Sequence, residues 1–111
     1  MRNFALVLGF GLFSTSAMAA DPAAGKKQYD MLCVACHGGA ADGKGPAAAA
    51  LKPPPADFTS KKFWEGKKDE SLRATIKNGK AGGSTGMAGF PHLNEQQIND
   101  LVAYLRTKQP K

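Results

Sequence analysis

The sequence predicts a small all-α domain of three helices joined by long loops. Helix-start signals or apolar residues at helical spacing mark three segments, near residues 21–33, 69–78 and 94–106. No run alternates apolar and polar residues over the length of a strand. Glycine and proline concentrate between the helical segments, where they would interrupt any regular element.

Residues 1–19 read as an export leader. Arg2 supplies the positive start, Phe4 to Phe13 form a short apolar core, and Ala17-Met18-Ala19 puts small residues where a signal peptidase reads them. Cleavage is expected after Ala19, because a cut after Ala20 would place Met18 at a position that wants a small side chain. The apolar run falls short of the about 20 residues that span a bilayer. The mature chain is therefore expected to be soluble and periplasmic, a single domain over residues 20–111. Its 92 residues, 111 less the 19 of the leader, bury a modest fraction of their surface. Chains of that size commonly draw stability from a metal or cofactor.

Asp21-Pro22 opens the first helix, with Asp as N-cap and Pro at the first helical position, where its missing N–H is not needed. Gly25 inside it costs about 1 kcal/mol relative to alanine. Gly25 and Tyr29 share a face, and close approach by another helix is the expected return. Asp69 to Asn78 form the middle helix, with Leu72 and Ile76 on one side and Gly79 placed to stop it. In the last helix Asn94 caps, Gln97 reaches back, and Leu93 staples onto Ile98. Ile98, Leu101, Val102 and Leu105 follow as an apolar stripe flanked by Tyr104. That stripe must dock on something, and crossing the first helix at Gly25 and Tyr29 is the economical solution. Gly38 to Asp57, with Pro46 and the Pro53-Pro54-Pro55 run, is expected to be loop, as is glycine-rich Gly79 to Phe90.

Cys33-Val34-Ala35-Cys36-His37 carries the chemistry. C-x-x-C-H is the attachment signature of c-type haem: two thiols add to the two vinyl groups as thioethers, and the adjacent imidazole becomes the proximal iron ligand. Other readings exist for the same residues. A disulfide oxidoreductase motif wants a βαβ context that the sequence does not offer. A structural zinc site needs four ligands, and only Cys33, Cys36, His37 and His92 could be recruited, with His37 in an ill-fitting place directly after Cys36. A plain disulfide leaves His37 without a role.

These residues, taken together, resemble the small class I c-type cytochromes, bacterial periplasmic monohaem proteins. The likeness extends over essentially the whole mature region. It rests on Gly25 and Tyr29 ahead of Cys33, on the C-x-x-C-H run, on Gly45-Pro46, on Gly86-Met87, and on Asp100 to Arg106. It implies an all-α cytochrome c fold, with the N- and C-terminal helices crossing near Gly25 around one covalent haem c. It also implies roles: Cys33 and Cys36 as thioether cysteines, His37 as proximal ligand, and Met87 as distal ligand. Pro46 would be the residue whose carbonyl accepts a hydrogen bond from the other nitrogen of His37. His92 is the rival to Met87 as distal ligand.

Electron transfer between redox partners, the iron cycling between ferrous and ferric, is the function that follows. With both axial positions filled no site is open to substrate, and nothing else assembles a nucleophile with a base. No catalytic residue is assigned, and the chain is not expected to be an enzyme. The formal charge is +6, or +5 once Arg2 leaves with the leader. Lysines spread along the mature chain suit acidic docking surfaces on protein partners. Export disfavours nucleic acid as a partner, and a monomer is expected. The alternatives are a haem subunit docked to a periplasmic dehydrogenase or oxidase, and an open-site haem enzyme or sensor.

Overall fold

A computed structural model describes residues 19–80 and 86–111. The leader expected over residues 1–19 thus lies, Ala19 apart, outside the described residues. Among those described, the regular structure is helical, and the only strand-like feature is one antiparallel bridge between Gly79 and Ala88. No helix among them is long and apolar enough to cross a membrane.

Helix α1 (Pro22–Leu32) begins as its sequence dictates: the Asp21 carboxylate accepts the Ala23 N–H at 2.9 Å, with Pro22 in the first turn. It ends at Cys33, whose N–H donates to the Tyr29 carbonyl at 2.8 Å. A single turn, α2 (Val34–His37), follows at once and is stopped by Gly38 at φ 85°. The loop beyond it contains a 3-10 turn at Ala48–Ala50 and is tied off where the Phe58 N–H donates to the Ala41 carbonyl at 2.8 Å. A second one-turn helix, α3 (Lys61–Trp64), is anchored by the indole N–H of Trp64 on the Phe58 carbonyl at 2.7 Å. Sequence periodicity does not reveal α2, α3 or the 3-10 turn, because a single turn is too short to show a period.

Helices α4 (Asp69–Asn78) and α5 (Glu95–Arg106) occupy the expected segments. The cap of α5 is reciprocal: the Asn94 side chain accepts the Gln97 N–H at 2.8 Å, and the Gln97 side chain accepts the Asn94 N–H at 2.9 Å. Leu93 and Ile98 on either side of this cap are both buried. Helix α1 lies across α5 in the most extensive contact between elements. At the crossing the backbone of Gly25 meets the Asp100 carbonyl, and the Tyr29 and Tyr104 rings pack at 5.1 Å between centroids. Leu101, Val102 and Leu105 supply the rest of the buried face of α5. Arg106 joins three elements, pairing with Asp69, donating to the Lys67 carbonyl, and lying 4.8 Å over the Trp64 ring.

Candidate haem site

Between these helices and the proline-rich loop lies a cavity of about 420 Å³. It falls within the roughly 300–1,000 Å³ usual for cofactor sites. Its walls are largely apolar: Leu101 and Leu105 from α5, Leu72 and Ile76 from α4, and the Pro53 to Pro55 run. Cys33, Cys36, His37 and Met87 line it as well. Among the described residues no carboxylate lines it, while Lys67 and Lys80 do.

The C-x-x-C-H run reaches the cavity because of how α1 ends. Cys33 leaves α1 as its C-cap, and the α2 turn, closed by the His37 N–H on the Cys33 carbonyl at 2.9 Å, carries Cys36 and His37 round to the cavity. The Tyr29 hydroxyl donates to the Gly38 carbonyl at 2.6 Å and pins the far end of that turn. Burial pushes the Tyr29 phenol well above its ordinary range, so it stays a donor.

His37 is buried and its ring lies 4.7 Å from that of Phe58. Its Nδ1 sits 3.1 Å from the Ala56 carbonyl oxygen. A carbonyl only accepts, so Nδ1 carries the proton and Nε2 keeps the lone pair that a metal needs. Burial lowers the His37 pKa below its ordinary 6.5, which the Ala56 bond only partly offsets. The ring is therefore neutral at pH 7.

The acceptor expected at Pro46 is thus Ala56 instead. Pro46 is exposed and does not line the cavity. The loop at Gly45 and Ala47 spends its N–H groups on the Cys36 and Ala35 carbonyls, at 3.1 and 2.9 Å, and so packs against the outside of α2. The Ala41–Phe58 tie brings Ala56 beneath the imidazole. Nothing in the sequence marks Ala56, because its contribution is a backbone carbonyl.

Met87 is half-buried and held from both sides. The Lys80 N–H donates to the Met87 carbonyl at 3.1 Å, and the Phe90 N–H to the Ile76 carbonyl at 2.8 Å. Gly79, at φ 76°, allows this return: a Cβ there would run into the Met87 carbonyl oxygen and stand 2.7 Å from the Gly89 nitrogen. His92 is exposed, rests edge-on against Phe90, and is not among the cavity-lining residues. Cys33 and Cys36 form no disulfide, and no group of three or more His, Cys, Asp or Glu among the described residues could hold a bare metal ion. Paired thiols and a neutral imidazole on an apolar cavity suit a flat macrocycle that brings its own metal.

The cytochrome c family model matches residues 22–109, from the start of α1 to beyond the end of α5. The chain belongs to the cytochrome c family. It is 36% identical over 94 residues to cytochrome c-554(547) of Halothiobacillus neapolitanus, covering 80% of this chain and 98% of that one. Its fold also matches a chain of a Kuenenia stuttgartiensis reducing HAO-like protein complex, with a TM-score of 0.65 and 26% identity. That match covers 78% of this cytochrome but only 41% of the larger chain. The all-α cytochrome c fold, covalent haem c as resident cofactor, and electron transfer with redox partners are thereby assigned.

Proposed function

We propose that this cytochrome is an exported, freely diffusing monomeric electron carrier of a bacterial periplasm, without catalytic activity, its iron held between His37 and Met87. The placement of Cys33, Cys36, His37 and Met87 on one cavity carries this reading. Bound haem supplies a one-electron change between ferrous and ferric iron, and a thioether ligand favours the reduced form. The chain's own part is to hold and to shield. Cys33 and Cys36 would hold the haem through thioether bridges, and the Ala56 carbonyl, by accepting from Nδ1, would leave the Nε2 lone pair of His37 for the iron. Leu72, Ile76, Leu101 and Leu105 keep water away. A leader over residues 1–19 accounts for the location.

Replacing Met87 by alanine tests the distal ligand. The expected result is loss of the weak far-red sulfur-to-iron band and a lower reduction potential, with carbon monoxide binding readily once the iron is reduced. A variant that kept the band would overturn the assignment. Ready carbon monoxide binding by the unaltered protein would instead point to an open-site enzyme or sensor.

Lys67 and Lys80, on a cavity lined by no carboxylate among the described residues, favour a partner with an acidic docking face. Bimolecular transfer to such a partner should slow as ionic strength rises through the range where the Debye length falls from about 30 to 10 Å. A rate indifferent to salt would remove the electrostatic part of this proposal. The complex that contains the structural neighbour favours a second reading, a cytochrome held in a larger assembly. Size exclusion of the native extract separates the two.

A further inference from the structure

The carboxylates of Asp21 and Asp100 each accept a backbone N–H at the start of α1. Asp21 caps the helix, and Asp100, from α5, accepts the Asp21 N–H at 2.8 Å. Asp100 is only 6% exposed, and the Gln96 amide donates to the same oxygen at 2.8 Å. Its neighbours give it no lysine or arginine among the described residues, whose ion pairs are Lys26–Asp30 and Arg106–Asp69. The Gln96 amide also lies 3.5 Å from the Ala19 carbonyl oxygen. The nitrogen of Ala20 is bonded to that Ala19 carbonyl carbon and sits one residue before the Asp21 N–H. Both of its flanks therefore rest on the Gln96–Asp100 pair.

We propose that removal of the leader creates an ion pair between the new α-ammonium group and Asp100, which fastens α1 to α5 only in the processed chain. This rests on the leader proposed above. Cleavage adds water across the Ala19–Ala20 bond: the carboxylate departs with the leader, and the amine left on Ala20 takes up a proton. A cut one residue later would convert the nitrogen of Asp21, already 2.8 Å from Asp100, into the ammonium. Either cut places the charge within one residue of the N–H that Asp100 accepts.

The other charges nearby do not replace it. Lys26 is engaged with Asp30, Lys27 and Glu95 are exposed, and the Asp21 carboxylate is occupied by the Ala23 N–H. An ammonium at a helix N-terminus is disfavoured by the helix dipole, and the Asp100 carboxylate beside it offsets that. The pairing raises the α-amino pKa from its ordinary value of about 8. Its stabilisation is therefore complete below about pH 7.7 and is lost as pH rises through the raised value.

The test compares the haem-loaded protein, matured from its own leader, with a form carrying a Gly-Ser insertion after Ala19, which moves the ammonium two residues away. Mass spectrometry of both reads the N-terminus directly, so an absent or displaced cleavage is seen separately from a failed ion pair. Urea unfolding at low ionic strength and pH 6–7 should show an unfolding equilibrium about two- to tenfold less favourable for the native-length chain than for the extended one. The gap should close above about pH 10, close in Asp100→Asn, and persist in Asp21→Asn. Equal stabilities at neutral pH, or a gap that survives Asp100→Asn, would overturn the proposal. Should Asp100→Asn fail to mature, titration of the α-amino group by NMR decides: its pKa must lie above that of the extended form, and equality refutes the pair.

Discussion

Replacing Gly25 by alanine is expected to destabilise the cytochrome by about 3 kcal/mol and to cut the yield of mature protein severely. Two effects compete. Alanine is a better helix former than glycine by about 1 kcal/mol, which alone would strengthen α1. The added methyl, however, would occupy the space of the Asp100 carbonyl group and stand 2.9 Å from the Tyr104 Cβ. A carbonyl in the middle of α5 cannot swing aside as a flexible side chain could, so the two helices must separate. Separation unpacks Tyr29 and Leu101, the largest side chains that are almost wholly buried. It also loosens the Tyr29 hydroxyl from the Gly38 carbonyl and so disturbs the turn that carries His37. Overpacking against backbone wins over propensity. Guanidinium unfolding of the haem-loaded protein measures the effect, and a variant as stable as the parent would remove Gly25 from its place at the crossing.

How much of this was legible in the sequence follows from the range of each signal. Helices α1, α4 and α5 announce themselves through caps and stripes confined to a dozen residues, and their caps fall where those residues put them. The Asn94–Gln97 cap was readable because both partners lie within one turn. Cys33, Cys36 and His37 were readable because the chemistry of attachment imposes their spacing. Pro46 went astray for the opposite reason. Its nearness in sequence to His37 says nothing about which carbonyl lies under the ring. That is decided by the Ala41–Phe58 hydrogen bond and by the Gly45 and Ala47 N–H groups turning their loop onto α2. Helix α3 was likewise invisible: four residues show no period, and what holds them is the Trp64 indole on Phe58 and the edge-to-face packing of Phe63 with Phe58 and Trp64. Local signals fix the helices, while contacts across about twenty residues of loop finish the site.

Changing both Cys33 and Cys36 to serine is the substitution expected to act most completely. The double variant should retain no haem after extraction into acidified organic solvent, while either single variant keeps one bridge and matures poorly. The physical weight behind this lies in the cavity. Exposing the four aliphatic side chains that would cover the haem, at about 1.5–3 kcal/mol each, comes to roughly 6–12 kcal/mol. That rivals the whole stability of a small domain, about 5–15 kcal/mol. Leu72, Ile76, Leu101 and Leu105 then face water rather than a macrocycle, and loss of far-UV circular dichroism should accompany loss of colour. The thiols themselves contribute little of this. Before attachment, burial, aided by Cys36 beside it, pushes the Cys33 pKa up to about 11, so the unattached side chain is an uncharged thiol at neutral pH and serine alters no charge there. The difference between parent and variant therefore measures the thioether bridges. Pigment that stayed with the double variant through extraction would mean that the haem is held by some other bond.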